Sequence, residues 1–301
     1  MAAAPNLVPG MIVITASEAT GNAGAVFRVD PTTGDGTKVS SAGDFASPIG
    51  IAVEADGSVV VADADAFGGK GGVIRVDPAT GTQTTVSSGG MFSNPFDLVV
   101  EASGTILVVD PHASGTGGVI RVDPQTGDQT MVSSGQESGP TAALREVGIA
   151  LEANGDILVI EQSLAGGASG GGRVTRIDPA TGARTAVASG GSFARAAGIA
   201  VESTGAIVVA DANAFGGSGG VIRVDPATGA QTKLSSGGDF VSPLGVAVDG
   251  QGDIMVADSD AFANRGGVIR LDPANGAQAK VSLGETYRGP RRLAIVPSPT
   301  G

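Results

Sequence analysis

The phrase Arg-hydrophobic-Asp-Pro occurs six times, starting at Arg28, Arg75, Arg121, Arg176, Arg223 and Arg270, with steps of 47, 46, 55, 47 and 47 residues. A period this long and this regular marks one supersecondary unit copied around an axis or along a line. Six copies use nearly all of the 301 residues, so one domain over 1–301 is expected, with no room for a second.

The unit between Ser47 and Ser88 reads as four strands. Gly50-Ile-Ala-Val-Glu54 is a short apolar run, and Ala55-Asp-Gly57 carries the Asp-Gly hairpin signal. Ser58-Val-Val-Val-Ala62 is the second strand, and a glycine-rich loop follows from Asp63 to Gly71. Gly72-Val-Ile-Arg-Val-Asp77 is the third. Pro78-Ala-Thr-Gly81 has proline early and glycine late, as a tight turn requires. Gly81-Thr-Gln-Thr-Thr-Val-Ser87 alternates polar residues like a solvated edge strand. The expected fold is therefore all-β: a six-bladed β-propeller of four-stranded antiparallel blades.

A linear solenoid would need capping repeats at its ends. The ends of this chain are instead two halves of one unit. Met11-Ile-Val-Ile-Thr15 aligns with a second strand, and Arg292-Leu-Ala-Ile-Val296 with a first. Pairing of these N- and C-terminal strands in the last blade is expected to close the ring and remove a sheet edge.

Composition narrows the partners. Acidic residues outnumber basic ones 30 to 18, a net charge of −12, which disfavours nucleic acid. No apolar run approaches the ~20 residues of a membrane helix, so no membrane insertion is expected. The chain has no cysteine, which rules out disulfides and thiol chemistry. A soluble protein is expected, secreted or periplasmic if a signal was removed from a precursor.

Loops after strands two and four are the longer and more variable ones, and they share one face. Function is expected there, at the mouth of the channel. The 55-residue step adds its extra residues in these loops, before Gly148 and between Glu161 and Arg176. Phe45, Phe92, Phe193, Phe240 and Tyr287 share one repeat position before strand one, and Phe67, Phe215 and Phe262 another after strand two. They read either as pegs wedged between blades or as an aromatic rim for a ligand.

Two polar columns follow strand two. One runs Ala16, Asp63, Asp110, Glu161, Asp211, Asp258, and the other Glu18, Asp65, His112, Ser163, Asn213, Asp260. Carboxylates two residues apart in a glycine-rich loop suit Ca²⁺ or Mg²⁺. They equally suit side chains that accept bonds from their own loop's N–H groups. The metal candidates are Asp63, Asp65, Asp110, His112, Glu161, Asp211, Asp258 and Asp260.

Residues that break the repeat carry more functional weight. The position of Gly50 reads Gly50, Asp97, Gly148, Gly198, Gly245, Arg292. Arg145 and Glu146 replace Ser47-Pro48, Arg195 takes the Ser47 position, and Arg288, Arg291 and Arg292 cluster in the last blade. Asp97, Arg145, Glu146, Arg195, Arg291 and Arg292 are the candidate ligand-binding residues. A positive patch here could hold a carboxylate or phosphate; alternatively, each arginine pairs with a strand-two acid. The repeated arginines and the acids Glu54, Glu101, Glu152, Glu202 and Asp249 read as scaffold, through interblade pairing and solvated turns.

Units such as Ser47-Pro-Ile-Gly-Ile-Ala-Val-Glu-Ala-Asp-Gly-Ser-Val-Val-Val-Ala-Asp63, followed by Gly72-Val-Ile-Arg-Val-Asp77, resemble the NHL-repeat class of six-bladed propellers. More loosely the chain resembles the SMP-30/gluconolactonase and virginiamycin B lyase groups. The first resemblance implies an interaction module. The lactonase likeness implies one divalent cation in the channel, and the lyase likeness a catalytic histidine.

Two functions follow. One is a non-catalytic binding or scaffold propeller that presents its long-loop face to a glycan, peptide, protein or small-molecule ligand. The other is a divalent-metal hydrolase or lyase at the channel mouth, with His112, Glu161 and Arg292 as catalytic candidates near Asp97.

Overall fold

The structure, a computed structural model, describes residues 7–18, 24–135, 144–163 and 172–297. It forms six four-stranded antiparallel sheets. Blade one runs from Pro48–Val53 to Gln83–Ser88, blade two from Asp97–Val100 to Gln129–Ser134, and blade three from Leu144–Leu151 to Arg184–Ser189. Blade four runs from Ala196–Val201 to Gln231–Ser236 and blade five from Pro243–Val248 to Gln278–Leu283. Blade six takes Tyr287–Ile295 as its innermost strand, followed by Ile12–Glu18, Gly24–Val29 and Gly36–Ser41.

The terminal strands pair as expected. Ile12 faces Ile295, Ile14 faces Leu293 and Thr15 faces Arg292 in one antiparallel ladder. Each innermost strand packs on the next, and Tyr287–Ile295 packs on Pro48–Val53, so the ring is closed.

The apolar core lies in the seams between blades. Val59, Val61 and Ile74 of blade one pack with Val13, Val26 and Phe45 of blade six, and the same arrangement recurs around the ring. This explains the unbroken apolar second strands. A strand such as Val59–Asp63 is buried along its whole length because both of its faces meet a neighbouring blade. The outermost strands have one exposed edge and read as alternating polar segments, as in Gln83–Ser88.

The aromatic column is part of these seams. Phe45, Phe92, Phe193, Phe240 and Tyr287 are all buried, which supports the peg reading over a rim. Phe67, Phe215 and Phe262 are half-buried and share a left-handed backbone, with φ of 55°, 54° and 54°. Their rings lie over the glycine that opens strand three: a Cβ on Gly72 would stand 2.5 Å from the Phe67 ring.

Arg75, Arg121, Arg176 and Arg223 pair with acids of their own blade, and the expected interblade contact is made by Arg223, whose Nη2 also donates to the Pro273 carbonyl of blade five at 2.9 Å. Arg75 Nε and Nη2 donate to the Glu54 carboxylate at 2.5 and 2.7 Å, and Arg223 repeats the fork on Glu202. Strand two lies between strands one and three, and the arginine reaches past it to the acid that follows strand one of the same sheet.

Candidate functional site

At the axis, the innermost strands crowd together. A Cβ on Gly148 would stand 2.4 Å from the Ala197 carbonyl oxygen, and one on Gly198 2.6 Å from that of Leu244. Glycine at this repeat position is therefore a packing requirement. Asp97 and Arg292 are the two departures, and both are buried.

They bond to each other across the channel. Arg292 Nε donates to Asp97 Oδ2 at 2.9 Å. Its Nη1 donates to the carbonyls of Leu244 at 2.7 Å and Arg291 at 3.2 Å. Its Nη2 donates to those of Val147 at 2.5 Å and Ala197 at 3.1 Å. A guanidinium has five N–H donors, and these five bonds use all of them. The Phe96 ring lies 5.6 Å away as a cation–π partner. Burial pushes the Asp97 carboxyl up, and the Arg292 charge pulls against it. Arg292 thus pairs with a strand-one acid, not with a strand-two acid as one expectation had it. The pair forms the floor of a cavity of about 350 Å³, walled by Ala52, Val99, Ala150, Ala247 and Ala294. The cavity runs towards the short strand one–two turns, away from the long-loop face.

The first polar column clamps the loops. Asp63 accepts N–H bonds from Ala46, Ser47 and Asp65 at 2.8–3.1 Å. Asp110 does the same for Ser93, Asn94 and His112, and Asp211 for Ala194, Arg195 and Asn213. Asp258 holds Val241, Ser242, Asp260 and Ala261. All four are fully buried. Burial raises the Asp63 and Asp258 carboxyls above their ordinary value, and the N–H bonds offset part of that. Each carboxylate ties the loop before strand one to the loop after strand two of its own blade. Asp65 is exposed and Asp260 half-buried, and among the described residues no three His, Asp or Glu side chains gather as a cation site. The side chains of Glu18 and Ser163 lie outside the described residues, as do most of the two insertions.

Blade three departs from this clamp. Glu161 is one methylene longer than its equivalents. It accepts from Arg173, from Thr175 Oγ1 at 2.5 Å and from Arg184 Nη2 at 2.5 Å. Burial pushes the Glu161 carboxyl up, but these three donors outweigh it and hold it below its ordinary value. Glu146 stands where the other blades place Pro48, Pro95, Ala196, Pro243 and Pro290. The side chain is pressed against blade two, close to Gly117 and Gly135. It is 2% exposed and forms an ion pair with Arg184 at 3.0 Å, although Oε1 accepts no hydrogen bond. Burial, against Arg184 and with the Glu161 charge, raises its carboxyl to about 7.

The candidates therefore separate. Asp97 and Arg292 meet in the channel, Glu146 and Glu161 meet at the seam of blades two and three, and half-buried His112 sits in the long loop of blade two. Arg145 and Arg195 stand at the starts of the innermost strands of blades three and four, and Arg291 lies midway along that of blade six, beside Arg292. Arg145 is half-buried and the other two are exposed.

Sequence reasoning missed the lateral latch. Gln83 Nε2 donates to Ser40 Oγ and the Ala42 carbonyl of the preceding blade, and its Oε1 accepts from Asp44 N–H at 2.7 Å. Gln129, Gln231 and Gln278 act alike. Arg184 takes this place in blade three and reaches Ser133 and Ser134. The signal was the recurrent glutamine that opens the fourth strand in four of the six blades.

Residues 21–282 match the family model described as outer membrane protein assembly factor BamB. No protein of curated function matches the sequence. Among solved structures, TolB from Acinetobacter baumannii aligns with a TM-score of 0.70 at 18% identity, over 96% of this chain and 67% of that one. A chain from the nidogen/laminin complex aligns with a TM-score of 0.73 at 14% identity, over 97% of this chain and all (100%) of that one. At these identities the likeness is one of fold. The six-bladed propeller stands as expected, and the family that the match names is the BamB family rather than the NHL-repeat or SMP-30 groups.

Proposed function

The chain belongs to the family of outer membrane protein assembly factor BamB, and on that premise we propose that it is a non-catalytic binding propeller whose long-loop face receives a protein partner. The observation that carries this reading is the set of buried aspartate clamps. Asp63, Asp110, Asp211 and Asp258 fix the long loops of four blades by the same N–H bonds, which makes a rigid platform. The residues displayed on that platform differ from blade to blade. Rigid presentation of varied side chains lowers the ordering cost of docking. The family description, an assembly factor, and the fold shared with nidogen in its complex with laminin support a protein as the partner. Work at the outer membrane carries a periplasmic location with it. Among the described residues no helix is long and apolar enough to cross a membrane.

The test is site-specific photocrosslinking in the native host. Crosslinkers at exposed Ser114 and Val241 on the long-loop face are expected to capture a protein, and those at exposed Asp56 and Gln251 on the opposite face are not. Crosslinks confined to Asp56 and Gln251 would overturn the reading.

A further inference from the structure

Resting on that reading, we propose that the mouth of the channel over blades three to six docks an acidic segment of the partner protein, with carboxylates flanking an apolar residue. The carbonyls of Val147, Ala197, Leu244 and Arg291 all accept from one guanidinium. That single group draws four innermost strands together. Arg145 and Arg195 lie two residues before Val147 and Ala197, and Arg291 is itself one of the four. Three cations are thereby carried on strands that meet at one end of the channel, in a protein whose net charge is −12.

Among the described residues Arg145, Arg195 and Arg291 have no carboxylate partner, whereas the repeated arginines fork onto the acids of their own blades. Nor does the repeat ask for arginine here, since blades one, two and five carry Ser47, Asn94 and Ser242 at the position of Arg145 and Arg195. Blade five, between Arg195 and Arg291, presents Val241, which is 49% exposed and one of two large apolar side chains so exposed among the described residues. Guanidinium groups recognise carboxylates through paired N–H bonds, and the valine sets an apolar contact between them. The overall negative charge disfavours non-specific docking of an acidic chain, so this arc also biases where the segment lands.

Fluorescence anisotropy tests it on the full chain with a labelled nonapeptide of eight glutamates around a central leucine. The matching lysine peptide is the control. The glutamate probe is expected to bind about tenfold or more tightly than the lysine probe at low salt and to weaken as salt rises. Arg145→Ser with Arg195→Ser, which restores the residue of blades one and five, is expected to lose about tenfold in affinity with no change in melting temperature. Lys70→Ala, on the blade-one loop, is expected to leave affinity unchanged. Equal binding of both probes, an equal loss in Lys70→Ala, or a lowered melting temperature in the double variant would overturn the proposal. Capture of phosphatidylglycerol vesicles through the same arginines would overturn it in favour of a lipid surface. Crosslinks from Val241 without affinity for the glutamate probe would sink the acidic segment alone and leave the protein-binding reading standing.

Discussion

Removing the Arg292 guanidinium should expose how much of the ring depends on its hub. In Arg292→Gly, Asp97 keeps a buried carboxyl with no counter-charge, and four carbonyls lose their donor. Breaking a buried ion pair from one side costs about 3–5 kcal/mol. The carbonyls add less, because water can enter from the adjoining cavity of about 350 Å³ and replace the lost bonds. Arg292→Gly together with Asp97→Gly removes both charges and gives all six blades the glycine that four already have. That double variant should cost only about 1–2 kcal/mol, mainly from added chain freedom in two strands. Urea unfolding monitored by circular dichroism should therefore rank Arg292→Gly below the double variant by about 2–3 kcal/mol. The single variant should melt roughly 6–15 °C lower than the native protein. The sign of the pH effect follows from Asp97. Burial raises its folded-state pKa, so the native state holds the proton longer than the unfolded chain, and stability falls as pH rises through that window. Without Arg292 the rise is larger, so the deficit of Arg292→Gly should shrink between pH 8 and pH 5. A single variant within about 0.5 kcal/mol of the native protein, or a double variant no more stable than the single, would refute the hub.

Glu146 offers a second titration. Its carboxyl is raised from 4.5 to about 7, so stability present at acid pH should be lost as pH climbs from about 4.5 to about 7, by up to about 3 kcal/mol. Glu146→Gln should flatten that part of the stability profile, and an unchanged slope would show that another group titrates there. Asp258→Ala strips the acceptor from four backbone N–H groups and should cost about 2–3 kcal/mol. Hydrogen exchange should speed up at Val241 and Ser242 before the rest of blade five, and uniform exchange would argue against a local clamp.

The ring was legible in the sequence because its determinants are periodic and local. The apolar second strands, the Asp-Gly turns and the complementary ends are each spelled out within one unit, and the register of Ile12 on Ile295 follows from them. The strand-two aspartates were legible as residues but ambiguous in role, since the same carboxylate spacing serves a cation or a turn. Only the distances to Ala46 and Ser47 separate the two. Arg292 was legible as a departure, yet its partner was not. Asp97 is 195 residues away in sequence and bonds it across the axis, and no local pattern encodes a contact of that range. Glu161 looked like one more member of an acidic column. Its extra methylene and the Arg173, Thr175 and Arg184 donors moved it into a different network. The glutamine latch was written in the repeat but carried no chemical signature, because an amide that opens a polar edge strand resembles any solvated residue.

These contacts show that the ring is closed twice. The perimeter closes where Tyr287–Ile295 joins Ile12–Glu18. The hub closes where Arg292, carried on that same strand, ties blade six to Asp97 of blade two and to the carbonyls of blades three, four and five. The second closure cannot form before the C-terminal strand docks, because its only cation arrives with that strand. Glycine at the other axial positions provides space but no bond, so a ring with glycine throughout would depend on the perimeter alone. Placing one arginine on the last strand to dock makes the completed ring more stable than its separate seams. It also draws together the strands that bear Arg145, Arg195 and Arg291, so the residue that locks the fold is the one that shapes the docking surface above it.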